Sequence, residues 1–286
     1  PDNYYGYTGY NLYFFVRYYQ AIRHINIFLE NLDRCVEMGE LERRTKYAEA
    51  IFMRAYYHYL LLRLYGPIPI EESSRTADGI AASSARKPFA ECVQWISEQI
   101  DWACENGMPE ERNESIELGL PTVGAARAIQ SRMHLLAASP LYNGGQAART
   151  AFGNWKRTVD GANYVNLNYD ETRWAVAAAA CKRVIEMNKY KLHTSPIDPS
   201  MPPRALPASV TITDPNFQNI DYYRSYSEMF TGETIGSKNP EFIWGRQSDA
   251  MANMTQCSFP TEKAMGGWNN LCAVSYTHLR AHETGA

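Results

Sequence analysis

The sequence predicts a mainly α-helical protein: paired helices stacked into an α-solenoid scaffold, followed by long irregular loops in the C-terminal third. Three observations predict it. Apolar residues recur at three- and four-residue steps through most of the first 190 positions, the spacing of a single helix face. The periodic stretches alternate with short polar or Gly/Pro-containing breaks, as antiparallel helix pairs require. Beyond about residue 191 the periodicity fades, and six prolines fall within 195–221, a segment that reads as long loops.

Residues 1–11, PDNYYGYTGYN, read as a Tyr/Gly/Asn-rich loop. A first helix is predicted at about 12–33, with Phe15, Tyr18, Tyr19, Ile22, Ile25 and Leu29 on its apolar face. The second, about 40–65, buries Ala48, Ile51, Phe52, Ala55, Tyr59, Leu62 and Tyr65. Small Ala48 and Ala55 let a neighbouring helix approach. Gly66 can adopt the positive φ that ends a helix, and Pro67 cannot continue one. A polar connector covers 71–86, and a third helix follows at about 88–105, with Pro88 in its first turn and Cys92, Trp95, Ile96, Ile100 and Ala103 inward. Thr122 is the expected N-cap of a fourth helix, about 123–139, lined by Ala125, Ala128, Ile129, Met133, Leu136 and Ala137. Asn143-Gly144-Gly145 reads as a turn. A fifth helix fits 171–188, with Trp174, Ala178, Cys181, Val184 and Ile185 facing inward, and Glu241 to Arg246 fits a short strand. The helices pair as 12–33 with 40–65 and 88–105 with 123–139, in units of tetratricopeptide-like size, although the tetratricopeptide consensus W-x2-L-G-x2-Y is absent.

Arg54-Ala-Tyr56 followed by Leu64-Tyr65-Gly66-Pro67-Ile68-Pro69 resembles the helix signature of the SusD/RagB family, surface glycan- and nutrient-binding lipoproteins of the Bacteroidetes outer membrane. Ala-Ala-Ser followed by Pro140-Leu-Tyr-Asn143 is similar to a second family stretch, and Asn239-Pro240-Glu241-Phe242-Ile243-Trp244 to a third. The resemblance covers most of 12–270 and implies a helix-pair scaffold that carries ligand-binding loops. It further implies capture of oligosaccharides, or less often peptides, for a SusC-like TonB-dependent transporter. In such proteins a lipid anchor holds the molecule at the cell surface. Residues 273–286, AVSYTHLRAHETGA, match nothing in the family pattern and read as a non-native tail. The expected organisation is therefore an aromatic loop at 1–11, the scaffold at 12–190, an incomplete loop-rich ligand-binding region at 191–272, and the tail. Since Pro1 is not a natural start, the chain is expected to be a piece lacking both ends of a family member.

The bulk properties exclude several classes. A net charge of −3 argues against a general polyanion binder, because phosphate binding needs clustered positive charge. Apolar runs fall short of the roughly 20 residues a membrane span needs. The six cysteines, at 35, 92, 104, 181, 257 and 272, form no CxxC pair and match no zinc spacing. Cys92 and Cys104 share one helix, where a rise of about 1.5 Å per residue sets them roughly 18 Å apart, so free thiols filling helix faces are expected. His278 and His282 lack a third ligand. GxSxG, HExxH and P-loop motifs are absent, and no nucleophile–base pair has a defensible spacing. His24, His58 and His134 sit in helices, where packing is the expected role.

Non-catalytic binding is the expectation, with no metal or cofactor required. A sugar offers apolar C–H faces and rings of hydroxyls, so its site combines aromatic platforms with short polar side chains. Three segments have that composition. The first holds Asn3, Tyr4, Tyr5, Tyr7, Tyr10 and Asn11; the second Trp268, Asn269 and Asn270; the third Asp221, Tyr222, Tyr223 and Arg224. The rival expectation is a plain tetratricopeptide-like scaffold that binds a peptide or protein in a helix-lined groove.

Overall fold

The computed structural model describes residues 5–74, 85–113, 117, 119–201, 205–231 and 239–245. Seven α-helices lie among them: α1 (Tyr5–Asn31), α2 (Glu40–Tyr65), α3 (Phe89–Glu105), α4 (Val123–Ala138), α5 (Gly145–Phe152), α6 (Thr172–Glu186) and α7 (Tyr222–Thr231). One two-residue ladder joins β1 (Ser195–Pro196) to β2 (Ile220–Asp221), antiparallel, with Ser195 opposite Asp221 and Pro196 opposite Ile220. Among the described residues no helix is long and apolar enough to cross a membrane.

Helices α1 and α2 form an antiparallel hairpin, since Phe15 meets Tyr65, Tyr19 meets His58 and Asn26 meets Arg54. Helix α3 packs on α2, α4 on α3, and α6 on α4, so each helix buries its stripe against the next. Ile51, Phe52, Ala55, Leu62, Ile96, Ile100 and Met133 share one core. Helix α2 ends as its sequence predicts: the Gly66 N–H donates to the Leu62 carbonyl, and Gly66 takes a φ of +68°. Thr122 caps α4, its hydroxyl oxygen accepting the Ala125 N–H at 3.3 Å.

The signature residues organise a buried polar network. Arg54 donates to the Asn26 side chain and the Glu72 carbonyl, both at 3.1 Å, and to Gln99 Oε1 at 2.7 Å. Its guanidinium lies over the Trp95 ring, 5.6 Å from the centroid. Tyr19 Oη donates to the Pro69 carbonyl at 2.8 Å, Lys87 N to the Ile68 carbonyl at 2.9 Å, and Arg86 to the Pro67 carbonyl at 2.5 Å. Prolines 67 and 69 hold the strand-like exit from α2 extended, so its carbonyls face these donors.

Four sequence expectations are corrected. Residues 5–11, expected in a loop, are the first turns of α1. The inward face of α6 is Ala177 and Ala180, while Trp174, Ala178 and Ile185 are exposed, Ile185 by 73%. In TRWAVAAAACKRVIE the alanines fit almost any face, and close packing on α4 selects the smallest side chains. Residues 241–245 form a turn and irregular chain rather than a strand. Cys35 stands exposed on the α1–α2 turn rather than filling a helix face. Helices α5 and α7 are additions. The first is only eight residues long and opens on glycine, and the second carries three tyrosines and two serines among its ten residues.

Candidate functional site

Helix α7 starts where Asp221 leaves the ladder, and the Asp221 carboxylate accepts the Arg224 N–H at 2.9 Å. The segment read from sequence as a polar aromatic loop is thus a helix start. Its three predicted residues have different settings. Tyr222 is half-buried and donates its hydroxyl to the Phe217 carbonyl. Arg224 pairs with Glu228 one turn on, through Nε at 3.2 Å and Nη2 at 3.0 Å. Tyr223 is 57% exposed, and Tyr226, three residues further on, is 66% exposed. Residues three apart on a helix are neighbours on one side, so the two tyrosines form an exposed aromatic surface. Sequence reading missed Tyr226, although its i, i+3 spacing from Tyr223 would have revealed it once the segment was read as helical.

A buried polar cluster holds this helix from beneath. Glu228 Oε2 accepts from His193 Nε2 at 2.8 Å and from the Ser195 hydroxyl, while Oε1 takes Arg224. The Ser195 N–H donates to Ser225 Oγ at 2.9 Å, and that hydroxyl donates to the Asp221 carbonyl at 2.6 Å. The His193 N–H donates to Glu241 at 3.1 Å. Hydrogen bonds from Ser195 and His193, with the Arg224 charge, hold the Glu228 carboxyl below its ordinary range. Ser, His and Glu meet here without the order of a catalytic triad. The serine hydroxyl donates to the carboxylate, and the histidine nitrogen nearest that serine is the one already facing the carboxylate. The cluster positions α7.

Of the other predicted site residues, Tyr5, Tyr7, Tyr10 and Asn11 lie in the first turns of α1, where the structure describes the backbone and not the side chains. Tyr4, Trp268 and Asn269 fall outside the described residues. Among the described residues no group of three His, Cys, Asp or Glu side chains could hold a metal ion. Two concavities mark the scaffold. A groove of about 370 Å³ runs between α1 and residues 69–73. It is walled by Phe15, Tyr19, Ile22 and Pro69, and its Tyr19 hydroxyl and Asn26 amide are bonded inward. A cavity of about 310 Å³ opens between α3, α4 and the start of α6.

Residues 2–135 match the SusD-like family model described as "Starch-binding associating with outer membrane". The solved structure of BT4246 is 28% identical with a TM-score of 0.66, over 82% of this chain and 40% of that one. A SusD-like protein (BF3747) from Bacteroides fragilis NCTC 9343 shares the fold at 18% identity and a TM-score of 0.61, over 91% of this chain and 39% of its own. The chain therefore spans about two fifths of the length of these two structures. No curated protein sequence matches it. The family model covers α1, α2, α3 and most of α4, including the Arg54 network, and the similarity of fold to the two solved structures continues beyond it; over this part the chain is similar to the SusD-like family.

Proposed function

We propose that this protein binds oligosaccharides without cleaving them, at the outer-membrane surface, and delivers them to a SusC-like TonB-dependent transporter. The observation that carries the reading is the match of residues 2–135 to a starch-binding, outer-membrane-associated family. The exposed pair Tyr223 and Tyr226 supports it, since tyrosine rings on a rigid helix suit the apolar faces of sugar rings. The helix-pair scaffold carries this surface. Tyr4, Tyr5, Tyr7, Tyr10, Asn11, Trp268 and Asn269 are proposed as further parts of the binding surface, on composition. A lipid anchor holds the protein to the membrane, and binding calls for no metal or cofactor.

Affinity electrophoresis in gels containing starch or other neutral polysaccharides tests the reading. The expected result is retardation by at least one polysaccharide, reduced in a Tyr223→Ala/Tyr226→Ala variant. Retardation lost only in a Tyr5→Ala/Trp268→Ala variant moves the site to those segments. A helical, monodisperse protein that no polysaccharide retards overturns the reading in favour of a peptide-binding scaffold.

A further inference from the structure

A hydrogen-bond relay ends on His134, in the lining of the cavity between α3, α4 and α6. The relay starts at Asp101, which accepts from Arg127. Arg127 also donates to Gln130 Oε1 at 2.9 Å. A guanidinium only donates, so this contact sets the orientation of the buried Gln130 amide. Gln130 Nε2 then donates to Ser97 Oγ at 2.9 Å. Ser97 Oγ also lies 3.1 Å from His134 Nε2. When the serine hydroxyl donates across this contact, Nε2 is the acceptor and the imidazole proton sits on Nδ1. Nδ1 has no hydrogen-bond partner among the described residues, and His134 lines the cavity. Burial, with the Arg183 charge nearby, holds the imidazole below its ordinary pKa, so the ring is neutral at pH 7.

Glu98, also in the lining, supplies an acceptor. Glu98 takes the Gln94 amide on Oε1 at 2.9 Å, and its second oxygen adds capacity. Val93 and Val176 give an apolar wall. Arg173, the cation at this cavity, donates to the Tyr142 carbonyl at 2.9 Å and lies 4.0 Å from Asp170, so its charge is already engaged. An uncharged ring with hydroxyls fits such a lining better than an anion does, and the volume lies at the lower end of small-molecule sites.

We propose that this cavity binds a single neutral sugar ring, with hydroxyls on His134 Nδ1–H and the Glu98 carboxylate and its C–H face on Val93 and Val176. The ligand class rests on the glycan reading, whereas the cavity is formed by the scaffold and not by α7.

The test is a titration of the full chain, labelled with 15N-histidine, with D-glucose, maltose and, separately, L-alanine. The ring signals of His134 are identified by their loss in His134→Gln. In the unliganded protein they should show an acceptor Nε2 and a protonated Nδ1. Glucose or maltose should then shift them saturably, and Val176→Trp, which fills the cavity from an exposed helix position, should abolish the shift. An immobile His134 signal in protein that polysaccharide still retards in gels overturns the cavity site and leaves the α7 reading intact. A saturable sugar shift without polysaccharide retardation supports the cavity site and overturns the α7 reading. A shift with L-alanine and none with sugar overturns the ligand class.

Discussion

His58 Nε2 accepts the backbone N–H of Glu71 at 3.1 Å, tying the middle of α2 to the chain thirteen residues on. The ring can accept there only if its proton is on Nδ1, and Nδ1 lies 2.8 Å from the Arg54 carbonyl, which takes that proton. A single neutral tautomer thus fastens the α2 exit to the helix it leaves.

Acid should loosen this fastening first. Complete burial lowers the His58 pKa from 6.5 to about 4, with the nearby Arg54 charge adding to the effect. The unfolded chain therefore takes up the proton before the folded one. Stability is fully present above about pH 6.5 and is lost as pH falls towards about 4, by an amount on the order of 3 kcal/mol. Melting temperature against pH should fall across this window and run flatter in His58→Gln. An equally steep profile in the variant would assign the acid sensitivity to other groups.

Tyr222 and Tyr223 adjoin in sequence and should separate in phenotype. Tyr222→Phe removes the bond to the Phe217 carbonyl, costing about 1 kcal/mol of stability with sugar binding unchanged. Tyr223→Ala should leave stability within about 0.5 kcal/mol and weaken polysaccharide binding roughly 2- to 13-fold. Denaturant melts beside gel retardation read both.

Glu228→Gln should free α7 while sparing the core. Glutamine offers one acceptor oxygen where the carboxylate serves Ser195, His193 and Arg224. Hydrogen exchange should quicken in the α7 amides and stay slow in α2. Because the folded pKa of Glu228 is depressed, its contribution is present above the unfolded carboxylate pKa and disappears as pH falls through the folded value. Uniform exchange across both helices would mean that α7 is not a separate unit.

Two adjacent glycines give a graded test of the turn after α4. Both have positive φ, +67° at Gly144 and +81° at Gly145. A Cβ on Gly145 meets nothing within 4 Å, so Gly145→Ala should cost about 1–2 kcal/mol from conformation alone. A Cβ on Gly144 would lie 2.2 Å from the Asn168 carbonyl carbon, in backbone that cannot swing aside. Gly144→Ala should cost about 1–3 kcal/mol more. Equal losses in urea melts would refute the close approach.

Helix boundaries were legible wherever a strong apolar stripe met a stop signal. The expected 40–65 is the observed Glu40–Tyr65, because Gly66-Pro67 leaves no alternative end. The face of α6 was not legible, since neighbouring alanines make every register nearly equal. Arg54 and His58 lie four apart on α2; in the sequence Arg54 belongs to the stretch that carries the family resemblance and His58 reads as a packing residue. Their partners, Asn26, Gln99 and residues 71–72, come from three other segments that only the fold assembles. The α7 surface was half legible. Tyr223 was recognised by composition, whereas the helix that adds Tyr226 depends on Ser195 and His193, far away in sequence.

Trp244 gives the order of assembly a direction. Its ring centroid lies 5.8 Å from that of Phe52 and 5.2 Å from that of Tyr56, and its indole N–H donates to the Gly119 carbonyl at 2.9 Å, 125 residues earlier. A ribosome adding about 5–20 residues each second reaches Trp244 roughly 6–25 s after Gly119. Throughout that interval the nascent chain carries the aromatic edge of α2 without its cover, so emerging helices are open to chaperones, and to one another, until this tryptophan arrives.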